Sequence, residues 1–218
     1  MIDVIIIGAG PAGLFAAKEL AEKADLSVRV IEKGKSIKNR SSPYEENDES
    51  LESDSYDVMQ GVGGTGLMSD GTLNLSPYIG GDLTRFVSGR EAKRIIDDID
   101  SVFQEHGAPK KVYGENTQKT EELARKAAAA DVKFIPIRQR HMGSENLPDI
   151  ITSLQEELEE KGVEFSVEKR VEEIEKDGAI VDGEKVKSRY ILAAPGRAGA
   201  VWLSKQAEKL GLNVSHGA

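Results

Sequence analysis

With 218 residues, of which 39% are hydrophobic and 31% charged, the chain is long enough for one large domain or two small ones. Its net charge of -9 argues against nucleic acid as a partner, and its lack of cysteine excludes disulfides, thiolate metal sites and a cysteine nucleophile. The chain has neither a signal-peptide pattern nor an apolar run near the roughly 20 residues of a membrane span, which predicts a cytoplasmic protein without such a span.

The first forty residues have the pattern of a strand, a turn, a helix and a second strand. Val4–Ile7 is a short β-branched run, typical of a strand that is buried on both faces of a parallel sheet. Apolar residues then recur at helical spacing over Pro11–Lys23, and Leu26–Glu32 predicts the second strand. Two strands joined through a helix in this way are expected to run parallel.

The turn between this strand and this helix reads GAGPAG. Gly8 permits the tight turn, Gly10 lets a pyrophosphate approach the backbone, and Gly13 lets the helix pack closely on the strand. The unpaired amides and the dipole at the helix start favour phosphate, and Pro11 suits a position whose N–H is unpaired anyway. Glu32 follows 19 residues after Gly13, where an acid hydrogen-bonds the adenosine ribose and repels a 2′-phosphate. A dinucleotide site is predicted, with a glycine turn that binds no ligand as the alternative.

Residues 41–87 combine an acidic loop with a second glycine-rich stretch. The loop has few apolar residues, so we predict that 41–57 is mobile and is the first site of proteolysis. The stretch MQGVGGTGLMSDGTLN then has four glycines in the six residues 61–66, which leaves backbone amides accessible to an anionic ligand. Flexibility alone is the alternative explanation of these glycines.

Residues 88–147 are predicted to form a helical insertion. Ser88–His106 is an amphipathic pattern that ends before Gly107, and Thr120–Ala130 predicts a second helix capped by Thr120. Val132–Ile137 is apolar and predicts a strand.

Residues 148–218 begin with a helix that Gly162 ends, after which the apolar period changes to two. This period predicts a small antiparallel meander. Its strands are Val163–Val167, Arg170–Glu175, Ala179–Val181 and Lys185–Tyr190. The run YILAAPG then predicts a buried strand with a small-residue turn, and Ala198–Leu210 predicts a last helix whose Trp202 belongs to the core.

Several of these segments resemble known flavoproteins. GAGPAGLFAAKEL followed by VIEK resembles the opening of FAD-dependent oxidoreductases of the glutathione-reductase fold. GVGGTGLMSDGTLNLSPYIGGDL, VYG, IPIRQRHMG and YILAAPGRAGAVWL are similar, in the same order, to a largely uncharacterised family of FAD-dependent dehydrogenases, or NAD(P)/FAD-dependent oxidoreductases. The resemblance covers almost the whole chain and implies an α/β fold: one domain, 1–218, with a Rossmann-like FAD-binding parallel sheet, a small antiparallel meander and a helical insertion.

The resemblance also implies where FAD binds. The first glycine turn and the loop 63–66 would hold its pyrophosphate, the latter approaching the flavin, and the acidic strand end would frame the ribose. The backbone of Val171 would contact adenine, although an ordinary strand residue is the alternative there. The implied FAD-binding residues are Gly8, Gly10, Pro11, Ala12, Gly13, Glu32, Lys33, Arg40, Gly63, Gly64, Thr65, Gly66, Ser69, Asp70, Gly71, Val171, Ala194, Pro195 and Gly196.

The chain departs from this family in two ways. Many members carry cysteines before the second glycine segment, where this chain has Ser42, Ser53 and Ser55. Members also continue beyond the last predicted helix, with a final FAD-binding segment. We therefore expect the chain to be incomplete, either a fragment or a split subunit whose partner is the missing C-terminal half.

In a flavoenzyme the cofactor carries the electrons, so the protein needs to supply orientation and an acid or base. His141 is the candidate for that group, and Arg138 and Arg140 could bind an anionic substrate; a solvated basic loop is the alternative. Glu32 is expected to be removable without loss of the fold, because an exposed strand end contributes little packing.

The predicted function is oxidation or reduction of an unidentified small molecule through FAD, with NAD(P)H as a possible electron donor. One alternative is a nucleotide-binding module without activity of its own. The other is a flavin-dependent RNA-modifying enzyme, which shares the opening motif but is disfavoured by the acidic composition.

Overall fold

The computed structural model describes residues 1–40, 56–115 and 117–214, the first two residues of the second range without their side chains. The prediction of a mobile 41–57 loop therefore falls largely outside the described residues. The chain divides into two compact units, of which the first contains 1–68 and 151–218 and the second contains 69–150. The domain boundaries drawn from the sequence stay predictions.

The described secondary structure begins at Ile2. The strands are β1 (Ile2–Ile7), β2 (Val28–Ile31), β3 (Thr72–Asn74), β4 (Val112–Tyr113), β5 (Gln139–His141), β6 (Glu164–Ser166), β7 (Val171–Glu175), β8 (Gly178–Val181) and β9 (Glu184–Ala193). The helices are α1 (Pro11–Lys23), α2 (Tyr56–Met59), α3 (Gly89–Glu105), α4 (Gln118–Ala128), α5 (Leu147–Glu160) and α6 (Ala200–Lys209). Within the described part of the chain, no helix is long and apolar enough to cross a bilayer.

The first unit is built on a six-stranded sheet with the order β6-β2-β1-β9-β8-β7. The strands β6, β2, β1 and β9 pair in parallel, and β9, β8 and β7 form the antiparallel meander. Ile5 and Ile6 of β1 and Val30 of β2 are fully buried, as expected for strands covered on both faces. The predicted α/β fold, with a parallel sheet and a small meander, is confirmed.

Two details of this sheet differ from the sequence expectation. β6 lies within the segment predicted as antiparallel, yet it pairs in parallel with β2, Arg29 opposite Glu164. A period of two marks a strand but carries no direction; here α5 precedes β6, and helical connections accompany parallel strands. The last two predicted strands are one continuous strand, β9, which serves both the parallel and the antiparallel part of the sheet.

A cluster of hydrogen bonds around Asp3 of β1 links this strand to Ser27, which directly precedes β2, and to Arg189 of β9. Its carboxylate accepts hydrogen bonds from the Ser27 amide (3.0 Å) and hydroxyl (2.8 Å) and from the Arg189 guanidinium (3.0 Å). The Ser27 amide, then the Ser27 hydroxyl and Arg189, lower the pKa of the Asp3 carboxyl from 3.8 to about 2.

Because of this cluster, we expect part of the free energy of unfolding to be lost at acid pH. Because the folded-state pKa lies below the unfolded one, the stabilisation is complete above pH 3.8 and is lost as the pH falls through about 2. We expect Asp3→Asn to remove this part, so that the free energy of unfolding of the variant falls less steeply across that window. Denaturant titrations at a series of pH values would measure it, and equal slopes for the two proteins would contradict it.

The second unit contains α3, α4 and a three-stranded antiparallel sheet with the order β3-β5-β4. The two helices were predicted, although α4 is capped by Thr117 and Thr120 lies one turn inside it, where both residues form a capping box. The small sheet was not predicted, because strands of two or three residues are too short to show a period.

The predicted strand over Val132–Ile137 is wrong. These residues have no regular secondary structure, and Val132 and Ile135 are 57% and 60% exposed. The apolar run is interrupted by Pro136, which lacks the N–H that a strand partner needs. The strand of this region is β5, which begins two residues later and contains Arg140 and His141.

Candidate dinucleotide-binding cleft

A cavity of about 380 Å³ opens in the first unit, beside the carboxyl ends of β1, β2 and β9. The chain passes from β1 to β2 on one side, whereas β9 lies on the other side of β1, so the cavity is at a switch point of the strand order. Its volume is within the range of ligand pockets, about 300–1,000 Å³. The lining residues are Ile7, Gly8, Gly10, Pro11, Ile31, Glu32, Lys33, Met59, Gln60, Gly61, Gly64, Thr65, Gly66, Lys169, Arg170, Val171, Ala194, Pro195, Gly196, Arg197, Ala198, Gly199 and Trp202.

The glycines of the first turn have different structural requirements. A Cβ atom on Gly8, whose φ is +102°, would lie 2.3 Å from the Ala194 carbonyl oxygen. A Cβ atom on Gly13 would lie 1.9 Å from the Gly8 carbonyl oxygen, so the close packing of α1 on β1 requires a glycine there. At Gly10 the nearest atom would be the Gly64 Cα at 3.9 Å. Packing therefore requires Gly8 and Gly13, whereas Gly10 leaves free space beside the cavity.

The start of α1 has no internal partner for its first amides. Gly10 is the N-cap, no side chain caps the helix, and its first turn contains no acidic residue. Pro11 occupies the first helical position, as the sequence predicted. Both residues line the cavity, so the positive end of the helix dipole is available to an anion.

The second glycine segment is an ordered turn that contacts the first. The Gly63 amide donates to the Ala9 carbonyl oxygen (2.9 Å), and a Cβ atom on Gly64 would lie 3.1 Å from the Gly10 Cα. Gly61, Gly63 and Gly64 have φ values of +106°, +85° and +58°, which L-residues rarely adopt. These glycines serve a defined backbone path, so flexibility alone does not explain them.

Glu32 holds the two turns together from the end of β2. It is 6% exposed, its Oε2 accepts from the Ala9 amide (2.8 Å), and its Oε1 accepts from the Gly34 (2.8 Å) and Gly61 (2.9 Å) amides. A carboxylate has about four acceptor positions, so one remains on Oε2 for a ligand. The premise that Glu32 lies at an exposed strand end is wrong, because the side chain is buried and accepts from three amides; tolerance of its loss by the fold stays a prediction, with a larger expected cost in stability.

Positive charge dominates the lining of the cavity. Four lining residues are cationic, whereas Glu32 is the acidic one among them. The cations are Lys33, Lys169, Arg170 and Arg197. Lys169 also pairs with Asp182 at 3.0 Å. In a chain with a net charge of -9, this local excess favours an anionic ligand.

The far side of the cavity is formed by the end of β9 and by the meander. Gly196, with a φ of +64°, turns the chain from β9 towards α6. Val171 is 7% exposed and lines the cavity. Trp202 packs against the core of the first unit and donates its indole N–H to the Glu172 carbonyl oxygen (2.9 Å), in agreement with the predicted core role, and it also lines the cavity.

Some predicted FAD-binding residues lie outside this lining. Ala12, Gly13 and Gly63 adjoin it in the turns, and Ser69, Asp70 and Gly71 belong to the second unit, so their contacts with FAD stay predictions. Arg40 lies outside the lining as well. Its buried guanidinium donates to the carbonyl oxygens of Val62 (2.7 Å) and Val58 (3.2 Å), so it supports the second glycine turn, and its contact with the ribose stays a prediction.

Sequence reasoning missed several lining residues. Met59 and Gln60 precede the second glycine stretch and carry no pattern that marks them, and Gly61 was counted in that stretch without being assigned to FAD. The cations Lys169, Arg170 and Arg197 lie more than 130 residues from the first turn in the sequence, and the pairing of the strands brings them to the cavity. No local signal in the sequence connects these cations with the glycine turns.

The candidate residues for reaction chemistry belong to the second unit. His141 is exposed on β5. Arg140 is a correction, because it is 3% exposed and its guanidinium forms two hydrogen bonds with the Asp100 carboxylate (2.6 and 2.7 Å) and one with the Pro109 carbonyl oxygen. It is therefore a structural residue and is not available to an anionic substrate. Among the described residues, no three His, Cys, Asp or Glu side chains are grouped as a metal site requires.

The Arg140–Asp100 pair predicts a large stability effect. Asp100 raises the pKa of the Arg140 guanidinium, and removing one partner of a buried pair costs about 3–5 kcal/mol. We expect Arg140→Met and Asp100→Asn each to lower the free energy of unfolding by this amount in urea titrations. The exposed Arg94, paired with Glu91 and Asp98 on α3, provides the control, since Arg94→Met should cost less than about 1 kcal/mol. Equal losses at both arginines would contradict the assignment.

Comparisons with known proteins agree with this geometry. The sequence model of the Thi4 family matches residues 1–39, which contain the first glycine turn and Glu32. No curated protein sequence matches the chain. Solved structures with similar folds include glycine oxidase from Bacillus cereus, with a TM-score of 0.55 and 16% identity over 96% of this chain and 59% of that one. L-amino acid deaminase from Proteus vulgaris, lacking its specific insertion sequence, has a TM-score of 0.54 and 16% identity over 98% of this chain and 57% of that one.

THI4 from Thermovibrio ammonificans is similar as well, with a TM-score of 0.51 and 15% identity over 97% of this chain and 64% of that one. The chain thus spans between 57% and 64% of the length of these three structures. At such identities the likeness concerns the backbone and not the substrate. The chain therefore has the α/β fold of these proteins.

Proposed function

We propose that the cleft of the first unit binds FAD and that the protein is an FAD-dependent oxidoreductase. The observation that carries the proposal is the convergence of three backbone turns and one carboxylate on a single cavity. The turns are those at Gly10, at Gly64 and at Gly196, and the carboxylate is that of Glu32. An elongated ligand with a phosphate centre and a ribose suits this arrangement.

The residues present fit FAD in three respects. A Cβ atom at Gly10 would enter free space next to the uncapped start of α1, where a pyrophosphate can approach the backbone. The four cations of the lining complement two phosphates. Glu32 retains one acceptor position on Oε2 for a ribose hydroxyl.

We assign roles along the cleft on that basis. Gly10 and the first amides of α1 would hold the pyrophosphate, Glu32 and Lys33 the ribose, and Val171 the adenine. The turns Gly64–Gly66 and Ala194–Gly196 would hold the flavin half. Bound FAD would supply the transfer of two electrons, and the protein would bind and orient both it and the substrate. NAD(P)H is the proposed electron donor.

The fold is shared with an oxidase and a deaminase that act on amino acids, which supports oxidation or reduction as the class of reaction. Because the chain spans less than two thirds of those structures, the activity and substrate of the whole protein are part of the proposal.

Titration with FAD and with NAD tests the proposal. We expect FAD to bind saturably, with quenching of flavin fluorescence and measurable heat in calorimetry, and NAD to bind far more weakly. The expected preference rests on the turns at Gly64–Gly66 and Ala194–Gly196, which we assign to the flavin half of the ligand, a half that NAD lacks. Saturable binding of NAD without binding of FAD would contradict it.

A nucleotide-binding module without activity of its own is the second candidate. The observation that favours it is that the chain spans only 57–64% of the length of the three solved structures named above. Anaerobic addition of NADH or NADPH to the FAD-loaded chain separates the two candidates. Bleaching of the flavin absorbance supports the oxidoreductase, whereas bound FAD that neither reductant bleaches supports the module.

A further inference from the structure

Three polar side chains form a chain of hydrogen bonds on the small sheet of the second unit. Thr72 of β3 lies opposite His141 of β5 in the register, and its hydroxyl oxygen is 3.1 Å from the His141 Nδ1. The same hydroxyl donates to the Asp70 Oδ2 (2.8 Å), and the Thr72 amide donates to the Asp70 Oδ1 (3.1 Å). We call Asp70, Thr72 and His141 the relay.

The positions of the protons in the relay follow from the number of hydrogen atoms that each group can donate. The two hydrogen bonds from Thr72 lower the pKa of the Asp70 carboxyl, so Asp70 is an ionised acceptor. A hydroxyl has a single proton, and Thr72 donates it to Asp70. The Thr72 oxygen therefore accepts from the His141 Nδ1–H. A neutral imidazole that carries its proton on Nδ1 has its lone pair on Nε2.

The relay lies on a face of the sheet that ligands can reach. Asp70 and His141 are exposed, and the Tyr113 ring packs edge-on against the imidazole at 5.1 Å between centroids and 87° between planes. The Lys111 ammonium lies 4.4 Å from the centre of the same tyrosine ring. On the same face, the Gln139 amide donates to the Asn74 side-chain oxygen (2.6 Å). The imidazole is thus oriented from two sides while remaining open to solvent.

We propose that the relay is a proton-accepting site, in which His141 Nε2 takes a proton from an O–H or N–H group of a small ligand. The bond from the ligand oxygen or nitrogen to hydrogen breaks, its electron pair stays on the ligand, and the proton forms the Nε2–H bond of an imidazolium. Thr72 and Asp70 are positioning residues, because they hold the proton on Nδ1 and so leave the lone pair of Nε2 open to the ligand. This proposal goes beyond the FAD cleft and does not rest on it, because the relay belongs to the second unit.

The tautomer of His141 is the first test, and it needs no substrate. Nitrogen-15 NMR of the histidine-labelled chain above neutral pH, assigned with His141→Asn, should show His141 with a protonated Nδ1 and a bare Nε2. Thr72→Val and Asp70→Ala should each shift the tautomer ratio towards Nε2–H by about fivefold, the factor that corresponds to a hydrogen bond of about 1 kcal/mol. A wild-type His141 protonated on Nε2, or a ratio that neither variant changes, would overturn the proposal.

Reactivity of Nε2 is the second test, with diethyl pyrocarbonate as the probe. Mass spectrometry should find Nε2 of His141 modified more slowly in Thr72→Val and in Asp70→Ala than in the wild type, by up to about threefold, because a fivefold shift of the tautomer ratio lowers a predominant bare-Nε2 fraction by no more than that. Thr72→Ser should restore the wild-type rate, because serine keeps the hydroxyl. Asn74→Ala, on the same face but outside the relay, is the matched control and should leave the rate unchanged. Equal rates in all variants would overturn the proposal, whatever the result of the FAD titration.

Discussion

Gly13→Ala is expected to destabilise the first unit severely, whereas Gly10→Ala is expected to leave the fold intact and to weaken FAD binding strongly. At Gly13 the new methyl group would lie 1.9 Å from the Gly8 carbonyl oxygen; Gly13 lies within α1, and Gly8 directly follows β1 and donates its amide to Ile31 of β2 (2.8 Å). The strain can be relieved only by moving α1 off the sheet. We expect a loss above about 4 kcal/mol, a large part of the 5–15 kcal/mol by which domains are stable.

The same change at Gly10 acts on the ligand. Gly10 has φ and ψ values of -74° and -179°, which alanine adopts readily, and the nearest atom to the added Cβ is 3.9 Å away. We therefore expect a loss of about 1 kcal/mol or less in stability. FAD affinity should fall on the order of 100-fold, or about 2.8 kcal/mol, because the methyl group occupies the space through which a pyrophosphate approaches the backbone.

Thermal unfolding and FAD titration of both variants measure the two effects. Gly89→Ala is the control, since Gly89 has no atom within 4 Å of an added Cβ and lies in the second unit. It should leave both FAD affinity and stability close to those of the wild type. Wild-type affinity in Gly10→Ala would show that no pyrophosphate lies against this turn, and a stable Gly13→Ala would contradict the packing of α1 on β1.

Glu32→Ala is expected to cost stability in the absence of any ligand. The change leaves the amides of Ala9, Gly34 and Gly61 without an acceptor in a site that is 6% exposed. Each such group costs about 1–3 kcal/mol, and we expect a total on the order of 3–5 kcal/mol after the site relaxes. Glu32→Gln should cost less, because its amide oxygen can still accept from Gly34 and Gly61 while its NH₂ group opposes the Ala9 amide.

The ligand adds a second effect at the same residue. Loss of the hydrogen bond from a ribose hydroxyl should weaken FAD binding of the folded variant by about 10–150-fold, or about 1.5–3 kcal/mol. Urea titrations without FAD measure the first effect, and calorimetric titration of the folded fraction measures the second. Glu19→Ala, at an exposed position on α1, is the control and should change neither quantity. Unchanged stability in Glu32→Ala would show that the three amides do not depend on this carboxylate.

The spacing motif predicted the position of Glu32 but not its hydrogen-bond partners. The spacing from Gly13 identified it as the acid at the end of β2, and the structure places it at the cavity. Its three hydrogen bonds to Ala9, Gly34 and Gly61 did not follow from the spacing, because Gly61 comes from another loop. The partners of Arg40 could not be predicted for the same reason. Its carbonyl partners Val58 and Val62 are set by the path of the second turn, which no local pattern specifies.

What the sequence determined by itself is the local part of this protein. The β1–turn–α1–β2 unit, the helix over Gly89–Glu105 and the β7–β8–β9 meander follow from residue periods, caps and turn glycines, which act between neighbours in the chain. The same local chemistry assigned Gly8, Gly10 and Gly13 to a dinucleotide turn.

Tertiary structure alone decided everything that depends on partners distant in the chain. It set the parallel direction of β6, it paired Arg140 with Asp100, and it placed Thr72 against His141. It also brought Lys169, Arg170 and Arg197 to a cavity whose first turn begins at Gly8. The physical reason is that a side-chain period or a turn residue specifies the conformation of its own segment, whereas the neighbour of a strand or a charge is chosen by the packing of the whole unit.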